Sequence, residues 1–426
     1  METKTIAIVL FALTYLSLMI FPKIRAYIAL ASAAIFVILG ILPVNQVLNT
    51  VDWNVILMIA GTMGVVSLFI ESKMPSLLAD IIIEKTPNVK WAIVSLALFA
   101  GVISAFVDNV ATVLMVAPVA LTIAKKLKMS PVKSIIAIAI ASNLQGAATL
   151  VGDTTSILLG GHANMNFLDF FFFRGKPSLF WIVEVGAIVS TLVLLFVFRK
   201  EKQPVKAMER TVVTDYFPTV LLVGIVVLLI IASFIPTAYK PEAINGLICV
   251  TIMIIGVIRK FIVEKDTKVF GDVLKEIDYT TILLLAGLFI VIGGIKEAGV
   301  IEDISKLFIK ASKDNVFIIF TLLVWASVLI SAFIDNIPYV ATMLPVVQGI
   351  AVAMNIDPYL LYFGLLIGAT LGGNITPIGA SANITGIGIL RKEGYEVSAK
   401  EFMKISVPFT LAAVVTGYIM TWLIWS

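Results

Sequence analysis

The predicted fold class is an all-α polytopic membrane protein made of two inverted repeats, each with five transmembrane helices and one re-entrant hairpin. Three observations predict it. Of 426 residues, 60% are hydrophobic and 14% charged, against roughly 25% charged in a soluble domain. Long apolar runs recur in two sets of the same order. Finally, the stretch Ser104-Ala105-Phe106-Val107-Asp108-Asn109-Val110 returns 227 positions later as Ser331-Ala332-Phe333-Ile334-Asp335-Asn336-Ile337.

Runs able to cross about 30 Å of hydrocarbon lie near residues 5–21, 26–43, 52–71, 91–124, 132–161 and 179–198. After a charged cytoplasmic linker, 199–215, a second set follows near 216–235, 242–260, 278–295, 315–354, 359–390 and 406–425. The first run lacks a small-residue cleavage site and reads as a transmembrane helix. The repeats are thus 1–198 and 216–426. Asp52-Trp53 opening one run matches Asp278-Tyr279 opening another, and Gly146, Thr149 and Gly152 match Gly373, Thr376 and Gly379. Aligned blocks at nearly one offset indicate an internal duplication.

The fourth run of each set, 91–124 and 315–354, is too long for one helix and polar in its middle. Either each is a kinked pair that crosses fully, or it is a hairpin whose tip stops inside the membrane. Charge favours the hairpin: each half then has five crossings and the second enters from the opposite side. With the N-terminus outside, most Lys and Arg residues, among them Lys23, Arg25, Lys125, Lys126, Arg199, Lys206, Arg391 and Lys392, fall on the cytoplasmic side, as the positive-inside rule requires. The lysine-bearing segment Ile295–Lys313 falls outside. Its apolar Ile301, Ile304, Leu307 and Phe308 predict an amphipathic helix lying in the interface, with Leu77–Glu84 as its cytoplasmic counterpart.

The fifth runs, 132–161 and 359–390, carry Gly, Thr, Ser and Asn where a helix interior would be apolar. Backbone that unwinds at this depth is tolerated only inside protein or beside a wet cavity. Unwound carbonyls and hydroxyls can coordinate a cation there, and half-helix N-termini can face an anion.

These elements supply the candidate site. Asp108 and Asp335, with Asn109 and Asn336, are expected to hold Na⁺ through hard oxygens or, for the carboxylates, to carry a proton. The competing reading of both carboxylates is a helix cap. Asp153 stands only in the first half, opposite Ala380, and is assigned a single substrate- or proton-linked role. Ser104, Thr112, Asn143, Thr149, Gly152, Thr154, Thr155, Ser156, Ser331, Asn374, Thr376, Gly379, Ser381 and Asn383 complete the set. Any one of these polar groups alone could equally be an interhelical hydrogen bond. Glu184 is an isolated membrane carboxylate, equally structural or functional. His162 is expected at the surface, and Phe170–Phe173 before Arg174 as an interfacial anchor.

Several function classes are excluded. One cysteine, Cys249, and one histidine, His162, leave no disulfide, thiolate metal site or repeated nucleophile–base pair. No Gly-rich turn precedes a Walker lysine, so neither an ATP-driven pump nor an enzyme is expected. No cofactor is expected beyond Na⁺ or H⁺ as coupling ion, and no nucleic-acid partner. The partners are membrane lipid and a small solute, in the cell (plasma) membrane.

At Ser104–Asn109, Ala141–Asn143 leading to Thr149–Asp153, Ser331–Asn336, and Gly372–Asn374 to Gly379–Asn383, the chain resembles the ion transporter superfamily. It is most similar to the ArsB/NhaD-type permeases, related to citrate/dicarboxylate and arsenite permeases, and among these to the branch around the melanosomal P protein. The resemblance covers essentially the whole chain. It implies two inverted repeats, two re-entrant hairpins, a homodimer, and an elevator motion of the hairpin domain. One departure stands out: relatives continue Gly-Asp with Pro-Pro-Asn, whereas this chain has Thr154-Thr155-Ser156.

The expected function is a Na⁺- or H⁺-coupled secondary transporter of a small, anionic solute by alternating access. A Na⁺/H⁺ antiporter is the first alternative, because no Arg or Lys is visible at the site. Arsenite or antimonite efflux and a passive anion channel follow.

Overall fold

The computed structural model describes residues 3–205, 210–236, 239–266 and 268–426. Of the linker 199–215, residues 206–209, including Lys206, lie outside the described residues. The fold is nearly all helical, with twenty α-helices among the described residues. Eight described helices are long and apolar enough to cross a membrane: Thr3–Ile20, Trp53–Glu71, Asn109–Lys126, Leu179–Val197, Ile244–Glu264, Tyr279–Glu297, Asn336–Met354 and Ala399–Trp425.

The long fourth runs fold as helix pairs. Val89–Ser104 and Asn109–Lys126 are joined by four residues and pack on each other; Val316–Ser331 and Asn336–Met354 are joined in the same way. Sequence explains each boundary. Asn88 caps the first arm by accepting from Trp91 N at 3.2 Å, and Asn315 caps its counterpart from Ile318 N at 3.1 Å. The return arms are capped by Asp108 and Asp335 and carry one internal proline each, Pro118 and Pro345.

The fifth runs are interrupted. In the first half Val132–Gly146 stops, seven irregular residues follow, and Thr154–His162 resumes. In the second half Tyr359–Leu366 widens into a π turn at Ile367–Leu371, tightens into a 3₁₀ turn at Gly373–Ile375, and resumes as Ser381–Lys392.

Two long helices frame these elements, each started by an acidic cap: Asp52 accepts from Val55 N at 3.1 Å and Asp278 from Thr281 N at 3.0 Å. Each packs backbone to backbone on a partner, because a glycine stands at the crossing. Gly61 of Trp53–Glu71 abuts Cys249 of Ile244–Glu264, and Gly287 of Tyr279–Glu297 abuts Ala29 of Arg25–Ile38. Small residues allow such close approach between membrane helices.

The amphipathic helices also form. Val300–Ser312 turns by 115° from the hairpin arm that follows it and buries Val300, Ile301, Ser305 and Ser312. Leu307 differs from the expected packed face: it is 67% exposed. Its counterpart is Met74–Glu84. Phe170–Phe173 corrects the anchor expectation in part. Phe170 is fully buried, while Phe172–Phe173 pairs with Lys176–Pro177 in a two-residue antiparallel ribbon. Arg174 and Gly175 close this ribbon with positive φ, the backbone that two-residue hairpin turns demand. His162 is exposed, with Tyr362 edge-on to its ring.

Candidate ion and solute site

Both hairpin tips dock onto the broken helices, and they do so by equivalent contacts. Thr149 Oγ1 donates to Ala105 O, and Thr376 Oγ1 donates to Ala332 O. Gly152 lies where a Cβ would stand 2.5 Å from Gly146 O and 2.7 Å from both Ser104 O and Ala105 O. At Gly379 the same atom would meet Gly373 O at 2.6 Å, Ser331 O at 2.7 Å and Ala332 O at 2.8 Å. Each tip therefore brings three backbone carbonyls around a glycine, a packing that only a missing side chain permits.

The two breaks also interlock. Asn143 Nδ2 donates to Thr370 O at 2.8 Å, between positions 227 apart, so equivalent positions of the duplication touch each other. Asn374 Nδ2 donates to Ile140 O at 2.9 Å. Asn143 Oδ1 in turn accepts from Asn109 Nδ2 at 3.1 Å, and Ser142 Oγ donates to Asn109 O at 2.9 Å. Thr155 bridges the halves, reaching Asp153 Oδ2 at 3.1 Å and the Thr370 hydroxyl at 2.9 Å.

A cavity of about 150 Å³ opens beside this junction. Of the sequence-predicted residues, Asp108, Asn109, Asp153 and Thr154 from the first half line it with Asn336 and Ser381 from the second. Sequence reasoning missed Glu276, Asp278, Thr281 and Ser67, which complete its polar wall. The available signal was Asp278 itself, which marks the duplication as the partner of Asp52 and also stands at a helix start. Among the described residues no Lys or Arg lines the cavity.

Asp108 is a cap as well as a cavity carboxylate: its Oδ2 accepts from Val110 N at 3.0 Å and Ala111 N at 3.2 Å. Asp335 also caps, accepting from Ile337 N at 3.0 Å on Oδ1, but its Oδ2 is held by Arg25 Nη1. This corrects the expectation that no cationic side chain reaches the site, and Asp335 does not line the cavity. Arg25 opens the short helix Arg25–Ile38, and only the tertiary fold carries it to a hairpin tip 310 residues away.

Other predicted residues hold the scaffold. Thr112 Oγ1 returns to Asp108 O at 3.0 Å, and Ser331 Oγ donates to Ala369 O at 2.6 Å. Asn383 Nδ2 reaches Gly373 O and Thr376 O, both at 3.2 Å, while its equivalent Ser156 reaches only Gly146 O, at 3.5 Å. Buried and without a hydrogen-bond partner are Ser104 Oγ, Asn336 Nδ2, Asn374 Oδ1 and Asn383 Oδ1. Among the described residues no three His, Cys, Asp or Glu side chains converge on one metal-sized point, so a cation held here would need carbonyl, amide or hydroxyl oxygens beside a carboxylate. Glu184 stands apart on Leu179–Val197, half-buried.

Residues 15–368 match the citrate transporter family, CitMHS. The chain belongs to this family. It is a polytopic membrane transporter and not an enzyme, and a small solute is its substrate. A relative in Mycobacterium leprae, called a 46 kDa membrane protein, is 30% identical over 437 residues, covering 99% of this chain and 98% of that one. An uncharacterized transporter of Mycobacterium tuberculosis is 29% identical over 411 residues, with 94% of each chain covered. The human P protein is 28% identical over 501 residues, covering 98% of this chain but 59% of its own length. Among solved structures, the YdaH transporter of Alcanivorax borkumensis has the same fold, with a TM-score of 0.60 at 13% identity, covering 89% of this chain and 87% of that one.

Proposed function

We propose that this CitMHS chain is a secondary active transporter coupled to a cation gradient, Na⁺ or H⁺, in which the cavity at the first hairpin tip takes the coupling cation. The observation that carries this is a cavity lined by Asp108 and Asp153 with, among the described residues, no lining Lys or Arg. A carboxylate is costly to remove from water unless an ion or proton compensates it. The hydroxyls of Thr154, Thr281 and Ser381 on the cavity wall add hard oxygen donors of the kind a small cation takes. The citrate in the family's description makes a small carboxylate the solute to test first. The site offers an anion the N-termini of the helices beginning at Thr154 and Ser381, and a co-bound cation.

The hydrogen bond between Asn143 and Thr370, equivalent positions of the duplication, supports reading the halves as related by a two-fold axis, and an odd number of crossings in each half would make them inverted repeats. The two capped tips on opposite halves then suit alternating access, with an elevator motion and a homodimer as the form that the resemblance implies.

One observation favours a second reading. Glu276 and Asp278 add two more carboxylates to the cavity wall, and a purely acidic lining suits a Na⁺/H⁺ antiporter that moves no anion.

The test is reconstitution in liposomes with an internal pH dye and an imposed Na⁺ gradient, with and without citrate, comparing wild type with Asp108→Asn. Citrate uptake that requires the cation gradient and is lost in the variant supports the leading reading. Na⁺-driven proton movement without citrate makes antiport primary. Solute flux independent of every cation gradient would overturn coupling.

A further inference from the structure

The two hairpin tips share one sequence pattern, yet only one of them carries a built-in positive charge. Arg25 Nη1 donates to Asp335 Oδ2, with the two side chains 19% and 17% exposed. The same N-terminal helix pair clasps the return arm again through Tyr15, whose Oη donates to Pro338 O at 2.9 Å and also meets the Thr342 hydroxyl. Among the described residues, Asp108 has no Lys or Arg within ion-pair distance, and neither has Asp153.

Gly287 crosses Ala29 and Gly61 crosses Cys249. Aligning these crossings places Asn245, buried and neutral, at the position equivalent to Arg25. The duplication therefore repeats the carboxylates and their caps but not the arginine. A guanidinium does not deprotonate in proteins, so it is a permanent cation fixed to the chain.

We propose that Arg25 is a tethered cation occupying the Asp335 half-site, so that an exogenous cation binds only at the Asp108/Asp153 half-site. The inference rests on the cation-coupled reading above and adds its stoichiometry: one exogenous cation, with Arg25 in place of a second. Arg25 is thus a specificity-determining residue, and Asp335 a latent cation ligand.

The experiment is equilibrium binding of ²²Na⁺ to the purified full chain in nanodiscs, with proton release read by a pH dye in the same samples. The proteins are wild type, Arg25→Gln, Arg25→Lys, Asp108→Asn and the double variant Arg25→Gln/Asp335→Asn. One site is expected in wild type and in Arg25→Lys, and none in Asp108→Asn. Arg25→Gln is expected to show two, and the double variant one again. A melting midpoint measured against Na⁺ guards against a folding defect, because a ligand that binds only the folded state stabilises it. Arg25→Gln should gain more stability from Na⁺ than either wild type or the double variant.

Two sites in wild type, or no added binding and no added Na⁺ stabilisation in Arg25→Gln, would overturn the inference. Binding that survives in Asp108→Asn would instead sink the reading of the first cavity. A site that appears only in Arg25→Gln and depends on Asp335 would support the inference even then.

Discussion

The two hairpin tips are close to copies in sequence and unlike in electrostatics. Both begin their return arm with a capping aspartate, and both are pinned to a break by a threonine hydroxyl on a tip carbonyl. At the first tip the carboxylate faces a cavity with three other carboxylates and, among the described residues, no lining Lys or Arg; at the second it is held by Arg25. The difference teaches that a duplicated motif fixes local geometry, while its charge state is set by whatever element packs opposite.

The largest expected effects break that contrast directly. Asn caps a helix about as well as Asp, so Asp108→Asn should keep the fold and drop transport to the empty-vesicle background. Asp335→Asn should instead act on stability, since removing one partner of a largely buried ion pair costs about 3 kcal/mol or more, read as a lower melting midpoint. Adding Arg25→Gln should return much of that loss. Equal stability losses in Asp108→Asn and Asp335→Asn would erase the distinction.

Next come the glycines, where the tips are alike. Gly152→Ala and Gly379→Ala each force a methyl group against three carbonyl oxygens, an overpacking worth about 1–3 kcal/mol. Both should melt earlier by similar amounts and lose transport. An unchanged Gly152→Ala would mean that the tip relaxes freely.

The cross-links between halves are smaller. Asn143→Ala and Asn374→Ala leave Thr370 O and Ile140 O without these donors, at about 1–3 kcal/mol each. The loss for Asn143 should be the larger, because it also releases Asn109. Thermal unfolding of the two single variants and the double variant checks this order.

The smallest test sharpens the comparison between the breaks. Asn383 spans two carbonyls where Ser156 grazes one. Ser156→Asn should gain about 1 kcal/mol, and Asn383→Ser should lose a comparable amount. If the first break prefers its serine, the Thr155 bridge to Thr370 already does the amide's work.

The sequence by itself determined the helical membrane character, and it marked two repeated polar stretches and two interrupted fifth runs whose residues Asp108, Asn109, Asp153, Thr154, Asn336 and Ser381 the structure places around one cavity. These are legible because burial and hydrogen-bond demand act within a segment: a carboxylate or a Gly-Thr-Ser-Asn stretch amid apolar residues has few physical uses. Only the tertiary structure decided that Asp278 and Glu276 join the cavity wall, that Thr370 receives Asn143, and that Arg25, read from charge patterning as a cytoplasmic residue, sits on Asp335. Each of these depends on the crossing register of helices far apart in the chain. Glycines such as Gly61 and Gly287 set that register through backbone contact, and a close approach between two surfaces leaves no periodic trace in either one alone.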